Sequence, residues 1–143
     1  MTTITALDPA VRAVFDAYPT DLRVALLNLR QLIFATAVEA NVGTLVEALR
    51  WGQPAYLTAR PRTGTTIRID AVKGSNHRYA VYVNCKTTLL ESYRILYPDH
   101  FVFEGQRALV LSTSTAVQEV ALKHCIALAL TYHRSTRAVA VTT

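Results

Sequence analysis

The chain has 143 residues, 51% of them hydrophobic and 17% charged, which suits one domain with one core and excludes disorder for the bulk of the sequence. Fifteen Lys and Arg against ten Asp and Glu give a net charge of +5, which permits attraction to nucleic acid, anionic metabolites or an acidic partner. The charge-free stretches 31–38, 108–118 and 124–133 stop short of the roughly 18 apolar residues of a membrane span, and Met1–Leu7 lacks the pattern of a secretory signal, so no membrane is expected and the default compartment is cytoplasmic.

Asp8 before Pro9 supplies an N-cap and a proline where a helix tolerates one, and Val11, Val14, Phe15 and Tyr18 follow at helical spacing. Pro19 interrupts this short helix. Thr20 and Asp21 can cap a restart, and Leu22, Leu26, Leu29 and Ile33 then form the stripe of a longer amphipathic helix that stops at Asn41 and Gly43. Thr44 and Glu47 have the spacing of a capping box, which predicts a third helix of one or two turns carrying Leu45, Leu49 and Trp51.

From Gly52 the period changes. Segments 55–59, 65–71 and 78–85 are rich in Thr, Ile, Val and Tyr and read as antiparallel strands. With a turn centred on Ser75, Ile67, Ile69 and Ala71 share one face with Val83, Val81 and Tyr79. Thr66, Arg68 and Asp70 share the other with Asn84, Tyr82 and Ala80. Thr88 and Glu91 precede a short helix through Leu89, Leu90, Tyr93, Leu96 and Tyr97, and segments 101–104 and 107–111 form a hairpin at Gly105. The last helix is expected over about 116–134, with Thr115 and Gln118 as caps. Its second half, Cys125–Leu130, is apolar nearly all round, which implies burial on more than one side or contact with another subunit. The order α-α-α-β-β-β-α-β-β-α predicts an α+β fold, an antiparallel sheet covered on one face by helices, with a core over about 8–134 and a patternless tail from Ala138.

Catalytic constellations are not evident. There is no C-x-x-C, H-E-x-x-H, serine-nucleophile motif, glycine-rich phosphate loop or paired-carboxylate pattern. His77 falls in a turn and His100 in a loop, while His124 and His133, nine residues apart, fall on opposite sides of the last helix, so a histidine metal site is not expected. Cys85 beside Lys86 is more simply a strand-end thiol than a nucleophile, since nothing in the spacing brings His77 or His124 to it as a base.

Trp51-Gly52-Gln53-Pro54-Ala55-Tyr56 is the least generic segment, with a glycine that frees the backbone, a proline that fixes the start of a strand and two large aromatics beside the corner. A short helix ending in W-G-x-P-x-Y, followed by a sheet and a closing amphipathic helix, resembles the YdhG-like family of small bacterial domains of unknown function. The resemblance covers roughly residues 14–133, and its specific part is Leu49–Tyr56. It implies an α+β fold with some likeness to frataxin. It also implies iron handling as a candidate role, since one member of that family is described as an iron chaperone. Frataxin-type binding uses a ridge of carboxylates, because the cation needs several anionic oxygens close together. Here Asp8, Asp16 and Asp21 are widely spaced with Arg12 and Arg23 among them, so iron binding of that kind is not expected.

Strand parity projects Arg68, Tyr82 and Asn84 from one face, with Trp51 and Tyr56 near its edge. An arginine beside aromatics suits a small anionic or planar ligand. The plainer alternative has Arg68 paired with Asp70 or stacked on Tyr82 at a solvated surface, and Trp51 and Tyr56 packing the corner. The leading expectation is a non-enzymatic module that binds a small ligand or a protein and self-associates as a homodimer. The alternatives are iron or metal delivery, and nucleic-acid binding through Arg60, Arg62, Arg68, Lys73 and Arg78.

Overall fold

Asp8 accepts a hydrogen bond from the Ala10 N–H at 3.0 Å and Pro9 opens the first turn, so helix α1 (Pro9–Asp16) starts as its local sequence dictates. The computed structural model describes residues 6–59 and 61–134; Arg60 and the tail from Ala138 lie outside the described residues. Beyond Pro19, α2 (Thr20–Glu39) runs for 20 residues, and the stripe Leu22, Leu26, Leu29 and Ile33 is at most 3% exposed.

The expected third helix is a strand. Leu45–Arg50 (β1) pairs antiparallel with Gln53–Thr58 (β2) through six residue pairs, from Leu45↔Thr58 to Arg50↔Gln53. Leu45 and Leu49 satisfy helical spacing, but with Glu47 between them they also alternate with Val46 and Ala48, and a short run cannot separate the two periods. Two tertiary facts decide it. Glu47 does not cap a helix but meets Arg30 of α2, and Trp51 and Gly52, with φ of 54° and 76°, adopt the doubly left-handed backbone of a type I′ hairpin turn. The order is therefore α-α-β-β-β-β-α-β-β-α.

Strands β3 (Ile67–Ala71) and β4 (Arg78–Tyr82) pair as Arg68↔Tyr82, Ile69↔Val81, Asp70↔Ala80 and Ala71↔Tyr79, the register of a turn centred on Ser75. Ser75 Oγ holds that turn by accepting the Arg78 N–H at 3.0 Å. Helix α3 (Leu89–Leu96), strands β5 (Val102–Glu104) and β6 (Ala108–Ser112) and helix α4 (Glu119–Leu130) complete the described elements. Helix α4 starts later than its sequence suggests, and the Gln118 side chain donates to the His100 carbonyl at 3.2 Å instead of capping it.

The six strands form one antiparallel sheet in the order β1-β2-β3-β4-β6-β5. Tyr56, Ile67, Ile69, Tyr79, Val81 and Leu109 point from it into the main core with α1, α2 and α4. This is the α+β arrangement with helices over one sheet face. Within the apolar Cys125–Leu130 segment, Cys125, Ile126, Ala129 and Leu130 are buried in the chain's own core, while Ala127 and Leu128 are partly exposed. Thr65 N–H donates to the Ala129 carbonyl at 3.0 Å, Thr63 Oγ1 to the Leu130 carbonyl at 2.9 Å, and α2 packs alongside. Among the described residues no helix is long and apolar enough to cross a membrane.

Candidate ligand-binding site

The register places Ala48, Ala55, Arg68, Tyr82, Ala108 and Glu104 in one row across the sheet, on the face opposite the helices. Ala80, Ala108 and Val110 on this face form a small apolar cluster of their own, with Val72 and Tyr82 packed on it. Along the row Arg68 and Tyr82 are neighbours, with the small Ala55 on one side and Ala108 on the other.

The β1–β2 turn delivers the next component. A type I′ turn favours Asn and Gly at its centre, and a bulky residue with positive φ costs on the order of 1–3 kcal/mol. Trp51 nevertheless occupies the first central position with φ 54°, and it is 85% exposed. Its ring is not idle. The Arg68 guanidinium carbon lies 5.1 Å from the Trp51 ring centroid and 5.8 Å from that of Tyr82, so one cation contacts two aromatic faces.

The Arg68 side chain makes its polar contact with an amide rather than a carboxylate. Its Nη1 donates to Gln53 Oε1 at 2.8 Å, and Gln53 Nε2 donates to Asp70 Oδ2 at 3.0 Å, so Gln53 stands between Arg68 and Asp70. The other Asp70 oxygen accepts from the Tyr18 hydroxyl at 2.7 Å and the Ala71 N–H at 2.9 Å. Burial, and then the charge of Arg107, lower the Arg68 pKa. Arg107 reaches the same end of the sheet because its carbonyl accepts the Val83 N–H at 2.9 Å, one residue beyond Tyr82. Among the described residues neither arginine has a carboxylate within ion-pair distance. Burial also raises the phenols of Tyr82 and Tyr18, with Asp70 adding to both, so each stays a neutral donor.

The structure thus brings together Trp51, Arg68 and Tyr82, and separates the other two sequence candidates from them. Tyr56 points into the helical side, fully buried, with its hydroxyl donating to Glu47 Oε2 at 2.8 Å and its ring edge against Phe34. Asn84 lies beyond the end of β4 in an exposed turn, where its Oδ1 accepts the Lys86 N–H at 2.9 Å. Gln53, Tyr18 and Arg107 were not legible as site residues. Gln53 carried a signal, since a hairpin centred on residues 51 and 52 puts it on the Arg68 face; Tyr18 arrives from the helical layer, and no local pattern announces it.

Other candidate chemistry is dispersed. Arg78 is paired with Glu104, while Arg62 and Lys73 are exposed away from the described row. Among the described residues no three His, Cys, Asp or Glu side chains come together as a metal set. His124 is engaged with the Tyr97 hydroxyl through Nδ1 at 2.6 Å, and Cys85 is exposed in the Asn84 turn. A groove of about 770 Å³ between α2 and the β6–α4 connection is lined by Val24, Leu32, Tyr79, Val117 and Leu122, with Asp21 and Glu119 also present. Set against known proteins, the chain matches no family model, no curated protein and no solved structure.

Proposed function

We propose that this chain is a non-enzymatic binding module whose uncovered sheet face takes a small, planar, anionic ligand at Trp51, Arg68 and Tyr82. The observation that carries this reading is the Arg68 guanidinium, held against two aromatic rings with no carboxylate among the described residues within ion-pair distance. A partly desolvated cation without a counter-ion is costly to keep, and an anion that supplies the missing charge recovers that cost on binding. The strained, solvent-facing Trp51 supports the same reading, because it adds little to the core and presents a flat apolar surface at the charge. The nearby groups that accept or donate protons are tied up in fixed hydrogen bonds around Asp70, which suits recognition rather than proton transfer.

Trp51 is the single tryptophan of the chain, so its emission reports on this site alone. Naphthalene-1,5-disulfonate, a planar dianion, is expected to quench that emission saturably and to raise the melting temperature. Arg68→Ala should abolish both effects while circular dichroism shows the fold retained. A folded Arg68→Ala protein that binds the probe as the parent does would overturn the assignment.

A further inference from the structure

Resting on that reading, we infer that the ligand class is a nucleotide with an unpaired base, the base stacked on the free face of Trp51 and the phosphate held by Arg68 and Arg107. Each half of the site matches one half of such a ligand. Trp51 is 85% exposed although Arg68 lies against its ring, which leaves aromatic surface for a second planar group. Single-stranded bases are commonly read in this way, by aromatic or arginine planes on a sheet surface. Alongside stands positive charge that no carboxylate among the described residues pairs. Among the described residues the side chains of Arg68 and Arg107 have no ion pair, and Arg50, beside the turn of the same hairpin, donates to the Leu49 carbonyl at 3.3 Å. Planar guanidiniums suit phosphate oxygens because two parallel N–H donors match two acceptors.

The neighbouring anions are already committed. Asp70 is hydrogen-bonded by Tyr18, Gln53 and its own strand, and Glu104 is paired with Arg78, so among the described residues neither makes a direct contact with Arg68 or Arg107 that phosphate would have to displace. A neutral sugar would leave this charge unanswered, and inorganic phosphate would leave Trp51 uncovered. Duplex nucleic acid hides its base faces in the stack, so only an unpaired base can use the ring.

Titrations of the whole chain followed by Trp51 emission test the inference, with AMP, a single-stranded octauridylate, ribose 5-phosphate and inorganic phosphate as probes. AMP or the octanucleotide should quench saturably and bind at least tenfold more tightly than ribose 5-phosphate. Arg68→Lys, which keeps the charge and loses the planar stack, should weaken binding about tenfold, and so should Arg107→Ala at its exposed turn. Octanucleotide affinity well above that of AMP, and falling steeply with salt, identifies a chain as the source; equal affinity identifies a free nucleotide. Ribose 5-phosphate or inorganic phosphate binding as well as AMP overturns the inference. If naphthalene-1,5-disulfonate binds while every nucleotide fails, the inference falls and the anionic-ligand reading stands. If that probe fails too, both fall.

Discussion

Arg30 and Glu47 meet side by side between α2 and β1, with Nε 2.6 Å from Oε2 and Nη2 2.9 Å from Oε1, and their side chains are only 3% and 9% exposed. The Tyr56 hydroxyl donates to the same carboxylate at 2.8 Å, and the guanidinium lies over the Phe34 ring. The pair fixes the inward face of β1, which the local sequence leaves ambiguous. Removing one partner strands a buried charge, so Glu47→Ala should lose about 3–5 kcal/mol of stability. Replacing both by apolar residues of similar volume, Arg30→Met with Glu47→Leu, should recover most of that loss. Urea unfolding of the two variants and the parent measures this directly, and a double variant as unstable as the single one would show that the pair contributes more than its own compensation.

That ion pair also marks where sequence ceased to be enough. The α2 stripe, the Asp8 cap and the β3–β4 register were legible because burial periodicity and turn position specify them locally. Leu45–Arg50 was not, because six residues fit both periods, and the arbiter is a charge on a helix 17 residues earlier. The site divides in the same way. Arg68 and Tyr82 follow from strand parity, whereas Tyr56 depends on knowing that the hairpin turns at residues 51 and 52.

Gly64 is required by close approach rather than by positive φ. A Cβ built there would lie 2.4 Å from the Ala129 carbonyl oxygen and from Leu130 backbone atoms, where Thr63 and Thr65 clamp the end of α4. Backbone cannot swing aside as a flexible side chain does. Gly64→Ala should therefore destabilise by more than about 3 kcal/mol, beyond the usual cost of an overpacked core, because the clash is with backbone. Gly74, with φ 83° and no atom within 4 Å of its would-be Cβ, makes the control: Gly74→Ala should cost only about 1–2 kcal/mol, the left-handed penalty alone. Equal melting temperatures for the two variants would count against the clamp.

The two thiols should separate cleanly. Cys85 is exposed and Cys125 is buried, with burial pushing the Cys125 thiol up to about 12. At pH 8 a disulfide reagent should modify one equivalent in the folded protein and the second only on unfolding in denaturant. Rapid reaction of both would mean that the α4 face of the core opens far more readily than its packing indicates.

Alkali should unfold the protein through its phenols. Burial, and then the Glu47 charge, hold the Tyr56 phenol above its ordinary value of 10, and burial raises Tyr18, Tyr79, Tyr82 and Tyr93 in the same direction. The folded state therefore keeps protons that the unfolded chain releases. Their stabilisation is complete below pH 10 and declines as the pH rises towards the folded values, each group contributing up to about 1.4 kcal/mol per pH unit. Tyr56→Phe should be less stable than the parent at pH 8, having lost a buried hydrogen bond, yet fall less steeply between pH 10 and 11. Parallel curves for variant and parent would refute the assignment to Tyr56.

Trp51 offers the sharpest separation of structure from function, because its two roles predict opposite signs. If it merely packs the corner, replacing it must destabilise the hairpin. Its φ of 54° and 85% exposure argue otherwise: asparagine adopts that backbone readily, and little packed surface is lost. Trp51→Asn should raise stability by about 0.5–1 kcal/mol through relief of strain, while abolishing the melting-temperature increase produced by naphthalene-1,5-disulfonate. Gain of stability with loss of binding is the signature of a residue kept for its ligand. A destabilised variant would instead show that the ring over Arg68 serves the fold.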